Sequence, residues 1–197
     1  MNSCSLPIFT QRLLLRTFAE TDLDALNAYY TLPSLRRYLD RPARDLADTK
    51  LALQAMRRQY RLNRPGDAFT LAVIRIEDDA LLGHVSFLWT DATAAQAELR
   101  FVFNPRYTGH GYAGEAVRVA MDYGFDSFGF HRIFARCSAA NQPAVRLLKG
   151  LDMRLEAHFR EHALYHGDWD EELHFAILDR EWRRDNKVKD IQWHRVA

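Results

Sequence analysis

The chain has 197 residues, of which 48% are hydrophobic and 27% charged, so we expect one domain with a full hydrophobic core. Its formal net charge of +1 excludes a protein that binds nucleic acid through its overall charge. The two cysteines, Cys4 and Cys137, match no metal or redox spacing, so reduced thiols are expected. The sequence contains neither a signal-peptide pattern nor an apolar run of ~18 residues. We therefore predict a cytoplasmic protein without nucleic-acid or membrane partners.

The spacing of apolar residues predicts a chain in which strands outnumber helices. After the first strand, a helix is capped by Thr21 or Asp22, short helical pieces follow around Pro33 and Pro42, and a longer helix comes next. Asn141 is expected to cap a short later helix. The predicted strands are residues 12–18, 69–76, 81–90, 96–103, 131–138, 153–165 and 169–178. The main predicted helices are residues 22–30, 46–62, 112–128 and 141–150.

This order predicts a mixed, largely antiparallel sheet with a strand–helix–strand crossover in its second half. We assign residues 8–184 to a single domain. Residues 185–197 form a charged C-terminal tail.

Residues 104–114 read N-P-R-Y-T-G-H-G-Y-A-G and join the strand at 96–103 to a helix that begins near Tyr112. A glycine-rich turn in this position can direct several backbone N–H groups at one point. The N-terminus of the following helix adds roughly half a positive charge. The pattern therefore predicts a site for a phosphate or pyrophosphate group.

One interpretation of this loop is the dinucleotide-binding fingerprint, because Gly109-x-Gly111-x-x-Gly114 has that spacing. The context disfavours it. Five residues separate the strand from the first glycine, and the strand carries Glu98 and Arg100 among its apolar residues. The acidic residue expected about 20 positions after the glycines is also missing.

Residues 108–113 resemble the acyl-CoA loop of the GNAT superfamily of N-acetyltransferases, whose pattern is Q/R-x-x-G-x-G/A. Gly111 and Ala113 fit the pattern, whereas Thr108 replaces the usual Gln or Arg. The resemblance extends from about Thr10 to Trp182 and is to the RimJ/RimL-like branch, which acetylates ribosomal-protein N-termini. It implies an α/β (α+β) fold with a mixed, mostly antiparallel, splayed sheet and helices on both faces.

The resemblance also implies acetyl-CoA as the co-substrate and no metal. His158, His162 and His166 recur every four residues, but a strand context disfavours a metal site there. The pantetheine arm would pair with the strand before the loop, the loop amides would bind the pyrophosphate, and an asparagine would contact the cofactor. The implied CoA-binding positions are Val102, Phe103, Thr108, Gly109, His110, Gly111, Tyr112, Ala113, Gly114 and Asn141.

The family motif N-x-x-S begins here at Asn141, but Ala144 replaces its serine. Some relatives are thought to use this serine to protonate the leaving thiolate. Tyr107, Tyr112, Tyr165 or solvent could take that role, and the sequence does not decide between them.

Glu98 and Glu161 are the candidate catalytic residues. Acetyl transfer needs a neutral amine, so a base or a water path must remove its proton. Several GNAT enzymes place a glutamate on the strand of Glu98, and residues 160–169 resemble the R-E-x-x-x-x-x-G-x-W segment of this branch. The acidic residues between positions 152 and 172 form either a solvated face or a surface that attracts a cationic amine.

We therefore predict an N-acetyltransferase in which a primary amine attacks acetyl-CoA directly in a ternary complex. The amine belongs to a protein N-terminus or to a small molecule, and the protein is a monomer or homodimer. Cys137 is disfavoured as a covalent acyl carrier because it lies within a predicted strand. The alternative is a non-catalytic acyl-CoA-binding sensor or partner protein, which the replacements at Thr108 and Ala144 suggest.

Overall fold

The computed structural model describes residues 6–36, 38, 45–165 and 167–188 and contains an eight-stranded sheet. The strands are β1 (Ile8–Phe9), β2 (Leu13–Arg16), β3 (Ala68–Arg75), β4 (Leu81–Asp91), β5 (Gln96–Phe103), β6 (Arg132–Ser138), β7 (Arg154–Tyr165) and β8 (Asp168–Leu178). The helices are α1 (Leu23–Tyr30), α2 (Pro33–Arg36), α3 (Leu46–Arg58), α4 (Tyr112–Ser127), α5 (Gln142–Gly150) and α6 (Asp179–Val188). Some sequence-based predictions fall outside the described residues, namely those on Cys4, Pro42, His166 and 189–197.

The strand order is β1-β2-β3-β4-β5-β6-β8-β7, and neighbouring strands are antiparallel except for β5 and β6. The parallel pair is joined by α4, as a crossover connection requires. Its pairing covers only Gln96–Glu98, although β5 continues to Phe103, so the two strands part beyond that point. The predicted splayed, mixed sheet is confirmed. A dinucleotide-binding domain has a mostly parallel sheet, whereas β5 and β6 are the one parallel pair among the described strands, so that interpretation of the glycines is wrong.

Helices cover both faces of the sheet, as predicted. On one face, α4, α5 and α6 bury apolar side chains such as Met121, Leu148 and Trp182 against the central strands. On the other face, Leu26 of α1 and Leu53 of α3 pack over β3 and the start of β4. α1 and α3 do not extend over β5 and β6, so part of this second face is left open.

Two elements were not predicted, the short strand β1 and the helix α6. α6 carries mostly charged residues and is fixed by Trp182, whose ring packs against Phe125 and whose N–H donates to Asp122 at 2.7 Å. The proposed tail therefore begins inside a helix. α3 ends at Arg58 rather than near residue 62, because Tyr60 forms a bridge to Phe69 of β3.

None of the helices in the described ranges has both the length and the apolar character that crossing a bilayer requires.

Candidate functional site

A cavity of about 1100 Å³, the large cavity, lies on the open part of the sheet between α3 and the β7–β8 hairpin. Its floor consists of alternate side chains of β4, β5 and β6, which point to one face of the sheet. Among them are Ser86, Glu98, Arg100, Val102 and Arg136.

Glu98 is the carboxylate in this floor, and its residue is only 4% exposed. Arg136 Nε donates to one carboxylate oxygen at 2.8 Å, and Arg100 Nη2 donates to the other at 2.7 Å. Burial raises the pKa of Glu98, but the hydrogen bonds and charges of Arg136 and Arg100 outweigh it and leave the pKa below its ordinary value. Glu98 is therefore ionised at neutral pH.

The parting of β5 from β6 leaves strand backbone open for a ligand. The amide of Asn104 donates to Leu82 of β4 at 2.8 Å, so by strand alternation the backbone groups of Val102 also face β4. Those of Phe101 and Phe103 consequently face the gap, whereas the Val102 side chain lines the large cavity. An extended pantetheine arm could thus pair with Phe101 and Phe103.

A second cavity of about 480 Å³, the small cavity, lies at the glycine-rich loop. Gly111 is the N-cap residue of α4 and has φ of +79°, a left-handed conformation that favours glycine. No side chain caps this helix, so the N–H groups of its first turn are available to an anion. Gly109, Ala113 and Arg146 also line this cavity, and the residues present fit a pyrophosphate.

Polar contacts fix the conformation of the loop. Arg12 Nη1 donates to the carbonyl oxygen of His110 at 3.1 Å, while its Nε donates to Glu115 of α4 at 2.8 Å. The Thr108 hydroxyl donates to the carbonyl of Pro105 at 2.7 Å and so stabilises the loop itself. Sequence reasoning did not find Arg12, because its contacts join positions about a hundred residues apart.

Side chains around the loop complete the wall of the small cavity. Tyr107, Tyr112 and Thr108 line it. The rings of His110 and Tyr112 are stacked with centroids 5.8 Å apart. Gly114, in the first turn of α4, faces Leu147 of α5.

Asn141 lies where the two cavities approach each other at α5. Its Oδ1 accepts a hydrogen bond from the Ala144 amide at 3.3 Å, so it caps the helix as predicted. Asn141 and Ala144 also line the large cavity. Capping and a contact to a bound ligand are therefore compatible.

A family model described as Acetyltransferase (GNAT) domain matches residues 12–154. This chain belongs to the GNAT acetyltransferase family. It is similar to YnaD, an uncharacterized N-acetyltransferase of Bacillus subtilis (strain 168), with 32% identity over 175 residues that cover 89% of this chain and 98% of YnaD. A GNAT-family acetyltransferase from Bacillus anthracis superposes with a TM-score of 0.76 and 29% identity, covering 89% of this chain and 100% of that one.

Two further solved structures share the GNAT fold at lower identity. Ribosomal-protein-S5-alanine acetyltransferase from Vibrio fischeri has a TM-score of 0.75 and 18% identity, covering 90% of this chain and 99% of that one. Spermidine N-acetyltransferase from Vibrio cholerae, in complex with CoA and spermine, has a TM-score of 0.73 and 20% identity, covering 87% and 98%. The predicted family and the enzyme class, N-acetyltransferase, are confirmed. GNAT enzymes use acetyl-CoA.

Glu161, the second candidate of this GNAT chain, does not join Glu98. Its side chain is exposed and is not among those that line the large cavity. A bulge between Phe159 and Ala163 of β7 gives Glu161 a φ of +49° and brings His162 to the cavity instead. A catalytic role for Glu161 stays a prediction without support from this geometry.

Two acidic residues of β8 that the sequence analysis did not name individually contribute to the site. Asp170 and Glu172 line the large cavity. The Ser138 hydroxyl donates to Asp170 at 2.7 Å, and Glu172 lies 2.6 Å from His174 Nε2. The acidic character of residues 152–172 was the available signal. Across the described ranges no cluster of three or more His, Cys, Asp or Glu side chains is arranged to hold a metal ion.

Proposed function

We propose that this GNAT enzyme transfers the acetyl group of acetyl-CoA to a primary amine by direct attack within a ternary complex. The observation that best supports this is the parting of β5 from β6. As a result, β5 presents the unpaired backbone groups of Phe101 and Phe103 toward the small cavity. The same strand places the carboxylate of Glu98 in the floor of the large cavity.

At the donor end, the first-turn amides of α4 and the Gly109–Gly111 turn would hold the pyrophosphate. Arg146 adds a positive charge to the wall of the small cavity. Arg12 holds the loop in place through its hydrogen bond to the carbonyl oxygen of His110. Asn141 would contact the CoA arm where it passes α5. The replacement at Thr108 does not remove the backbone donors, which supports binding despite the altered side chain.

At the acceptor end, the charges of the large cavity favour a cationic amine. Among the described residues, four carboxylates and two guanidinium groups line it, and carboxylates in this position attract an ammonium ion. The lining carboxylates are Asp48, Glu98, Asp170 and Glu172.

The reaction forms an amide N–C bond and breaks the thioester C–S bond. Because its pKa is lowered, Glu98 is a weak base. It would accept the proton of the ammonium group through water, and its negative charge would stabilise the positive charge that moves along this route. Ala144 has no proton to offer the departing thiolate. We assign that protonation to solvent.

Direct transfer is supported by the state of Cys137, which lines the large cavity. Burial, together with the nearby charge of Glu172, raises the pKa of its thiol to about 11. The thiol is therefore protonated at neutral pH and is a poor nucleophile, which disfavours a covalent acyl-enzyme.

The acceptor amine belongs to a protein N-terminus or to a small molecule. Both kinds occur in the names of structures that share the fold, a ribosomal-protein alanine acetyltransferase and a spermidine acetyltransferase. A cytoplasmic location and a monomer or homodimer remain predictions.

The donor is tested by calorimetric titration with acetyl-CoA, CoA and NADH. We expect micromolar binding of the first two and none of NADH. The second step measures release of free CoA across a panel of amines, with a reaction lacking amine as the control. Absence of acyl-CoA binding would refute the proposal, and binding without turnover of any amine would instead support the acyl-CoA sensor.

A further inference from the structure

A buried histidine in the wall of the large cavity has no role in the mechanism above. His84 lies on β4, opposite Val102 of β5, and is 6% exposed. Its imidazole is enclosed by the rings of Phe18, Tyr29 and Tyr30, whose centroids lie 5.9, 6.4 and 5.9 Å away. The cage fixes the plane of the imidazole ring.

The hydrogen bond on the inner side of the ring determines which nitrogen carries the proton. The hydroxyl of Tyr29 lies 3.0 Å from His84 Nδ1, and Tyr29 is fully buried. Among the described residues, the Tyr29 hydroxyl has no other hydrogen-bond partner. A buried hydroxyl that donates to nothing is costly, so Tyr29 donates to Nδ1 and the ring proton is on Nε2.

The outer nitrogen of the ring opens into the large cavity. In the described part of the chain, every side-chain nitrogen or oxygen that is sealed from solvent has a hydrogen-bond partner. His84 Nε2 has no such partner there, so it cannot be sealed. His84 lines the large cavity, so an Nε2–H that is not sealed can donate to a molecule that occupies this space.

We propose that His84 is a specificity-determining residue, whose Nε2–H donates a hydrogen bond to a carbonyl or carboxylate oxygen of the acceptor amine. This inference rests on the function proposed above and narrows its substrate class to amines that carry such an oxygen. Oxygen-free amines would leave a buried donor without a partner, which is how hydrogen-bonding sites reject analogues that lack the matching group.

The neutral state of the ring suits a cationic substrate. Burial lowers the pKa of His84 to about 4, so the ring carries no charge at neutral pH. An imidazolium in this wall would repel the ammonium group that the carboxylates of the cavity attract. A neutral N–H donor binds an oxygen of the same molecule without that repulsion.

The test uses matched acceptors that differ at one peptide bond, whose replacement removes the carbonyl oxygen together with the amide N–H. One is a hexapeptide with an N-terminal alanine, and the other is the same peptide with an (E)-alkene in place of its first peptide bond. Alaninamide is the third acceptor, and it distinguishes a small molecule from a peptide as the source of the oxygen. We expect kcat/KM to be about tenfold or more higher for the amide peptide or for alaninamide than for the alkene.

Variants assign the preference to His84. His84→Leu should abolish it through a higher KM, with an unchanged Kd for acetyl-CoA, and His84→Gln, which keeps an N–H donor, should restore part of it. Tyr29→Phe should reduce the preference, because the tautomer is no longer fixed. In the wild-type protein, ¹⁵N NMR should show Nε2 protonated and Nδ1 bare.

Each result bears on a different claim. Equal rates with amide and alkene, a preference that survives His84→Leu, or a proton on Nδ1 would overturn the assignment of His84 and leave the acetyltransferase proposal intact. Acetyl-CoA binding without transfer to any amine, oxygen-containing or not, would overturn both.

Discussion

Glu98 combines two properties that usually exclude each other, near-complete burial and a lowered pKa. The two guanidinium groups that contact it resolve the conflict, because each compensates part of the cost of burying the carboxylate. A carboxylate held in this way is a permanent negative charge in the floor of the cavity. It is suited to attracting the ammonium group and to accepting its proton through water.

Replacement of Glu98 by Gln removes this charge with little change in shape. We expect Glu98→Gln to lower kcat by about 100-fold, within the range for loss of an acid–base group, with little change in the Kd of acetyl-CoA. Glu161→Gln is the matched control, since that side chain is exposed and lies outside the cavity lining, and it should behave like the wild type. Steady-state kinetics and titration calorimetry on both variants provide the measurement. Equal losses of kcat in the two variants would contradict the assignment.

His84 should make stability depend on pH in a defined window. Its pKa in the folded state is about 4, against an ordinary value of 6.5, so the unfolded chain binds the proton first as pH falls. The contribution is fully present above pH 6.5 and is lost as pH falls toward 4, by on the order of 3 kcal/mol. Urea unfolding at several pH values should show this loss in the wild type. In His84→Gln the slope between pH 6.5 and 4.5 should be smaller, and an unchanged slope would argue against a neutral buried ring.

At the scale of elements, the junction between the loop and α4 determines donor binding. Gly111 adopts a left-handed conformation with no steric crowding, since an added Cβ would lie 3.6 Å from its nearest neighbour, Arg12. The conformation, and not the available space, therefore restricts this position. The same applies to Gly129 after α4, which has φ of +67° and open space around it.

Comparing substitutions at Gly111 and Gly129 separates the effect of backbone strain from the effect on ligand binding. Gly111→Ala and Gly129→Ala should each lower the free energy of unfolding by about 1–2 kcal/mol, the cost of a left-handed non-glycine residue. Only Gly111→Ala should also weaken acetyl-CoA binding, by roughly tenfold or more, because shifted amides lose charge-assisted hydrogen bonds to phosphate. Calorimetry and urea denaturation report the two effects independently. Similar acetyl-CoA affinities in both variants would contradict a role for the loop.

The elements that the sequence predicted well are those whose signals are local. Strands such as 81–90 and 96–103 have alternating side chains and turn residues at their ends, and the structure places them within a residue of these limits. The loop was identified because glycines between a strand and a helix have one physical interpretation, an anion site. Asn141 was assigned as a cap for the same local reason.

The features that could not be predicted depend on contacts between distant residues. Because of a bulge in β7, His162 and not Glu161 reaches the large cavity. The register of a strand pair depends on both strands, so it cannot be predicted from the sequence of one strand alone. The contact of Arg12 with Glu115 and the opening of His84 Nε2 both require the assembled sheet. α6 was missed because its residues are mostly charged, and it is docked by one tryptophan, Trp182.

At the scale of the whole molecule, the sheet separates two tasks. The face that carries α4, α5 and α6 has a continuous core that supports the donor site. The opposite face has a smaller core under α1 and α3. The large cavity lies next to this core on the same face. Stability should therefore depend mainly on the first face, and its last element, α6, closes that core at the C-terminal end.

Two tryptophans test this division. Trp182 is 4% exposed, packs against Phe125 and donates to Asp122, whereas Trp169 on β8 is 59% exposed. Trp182→Ala should lower the free energy of unfolding by about 3–5 kcal/mol, because it leaves a cavity and removes the hydrogen bond to Asp122. Trp169→Ala should change it by no more than about 0.5 kcal/mol. Guanidinium denaturation followed by circular dichroism measures both. A similar loss in the two variants, or none at Trp182, would show that α6 does not close the core.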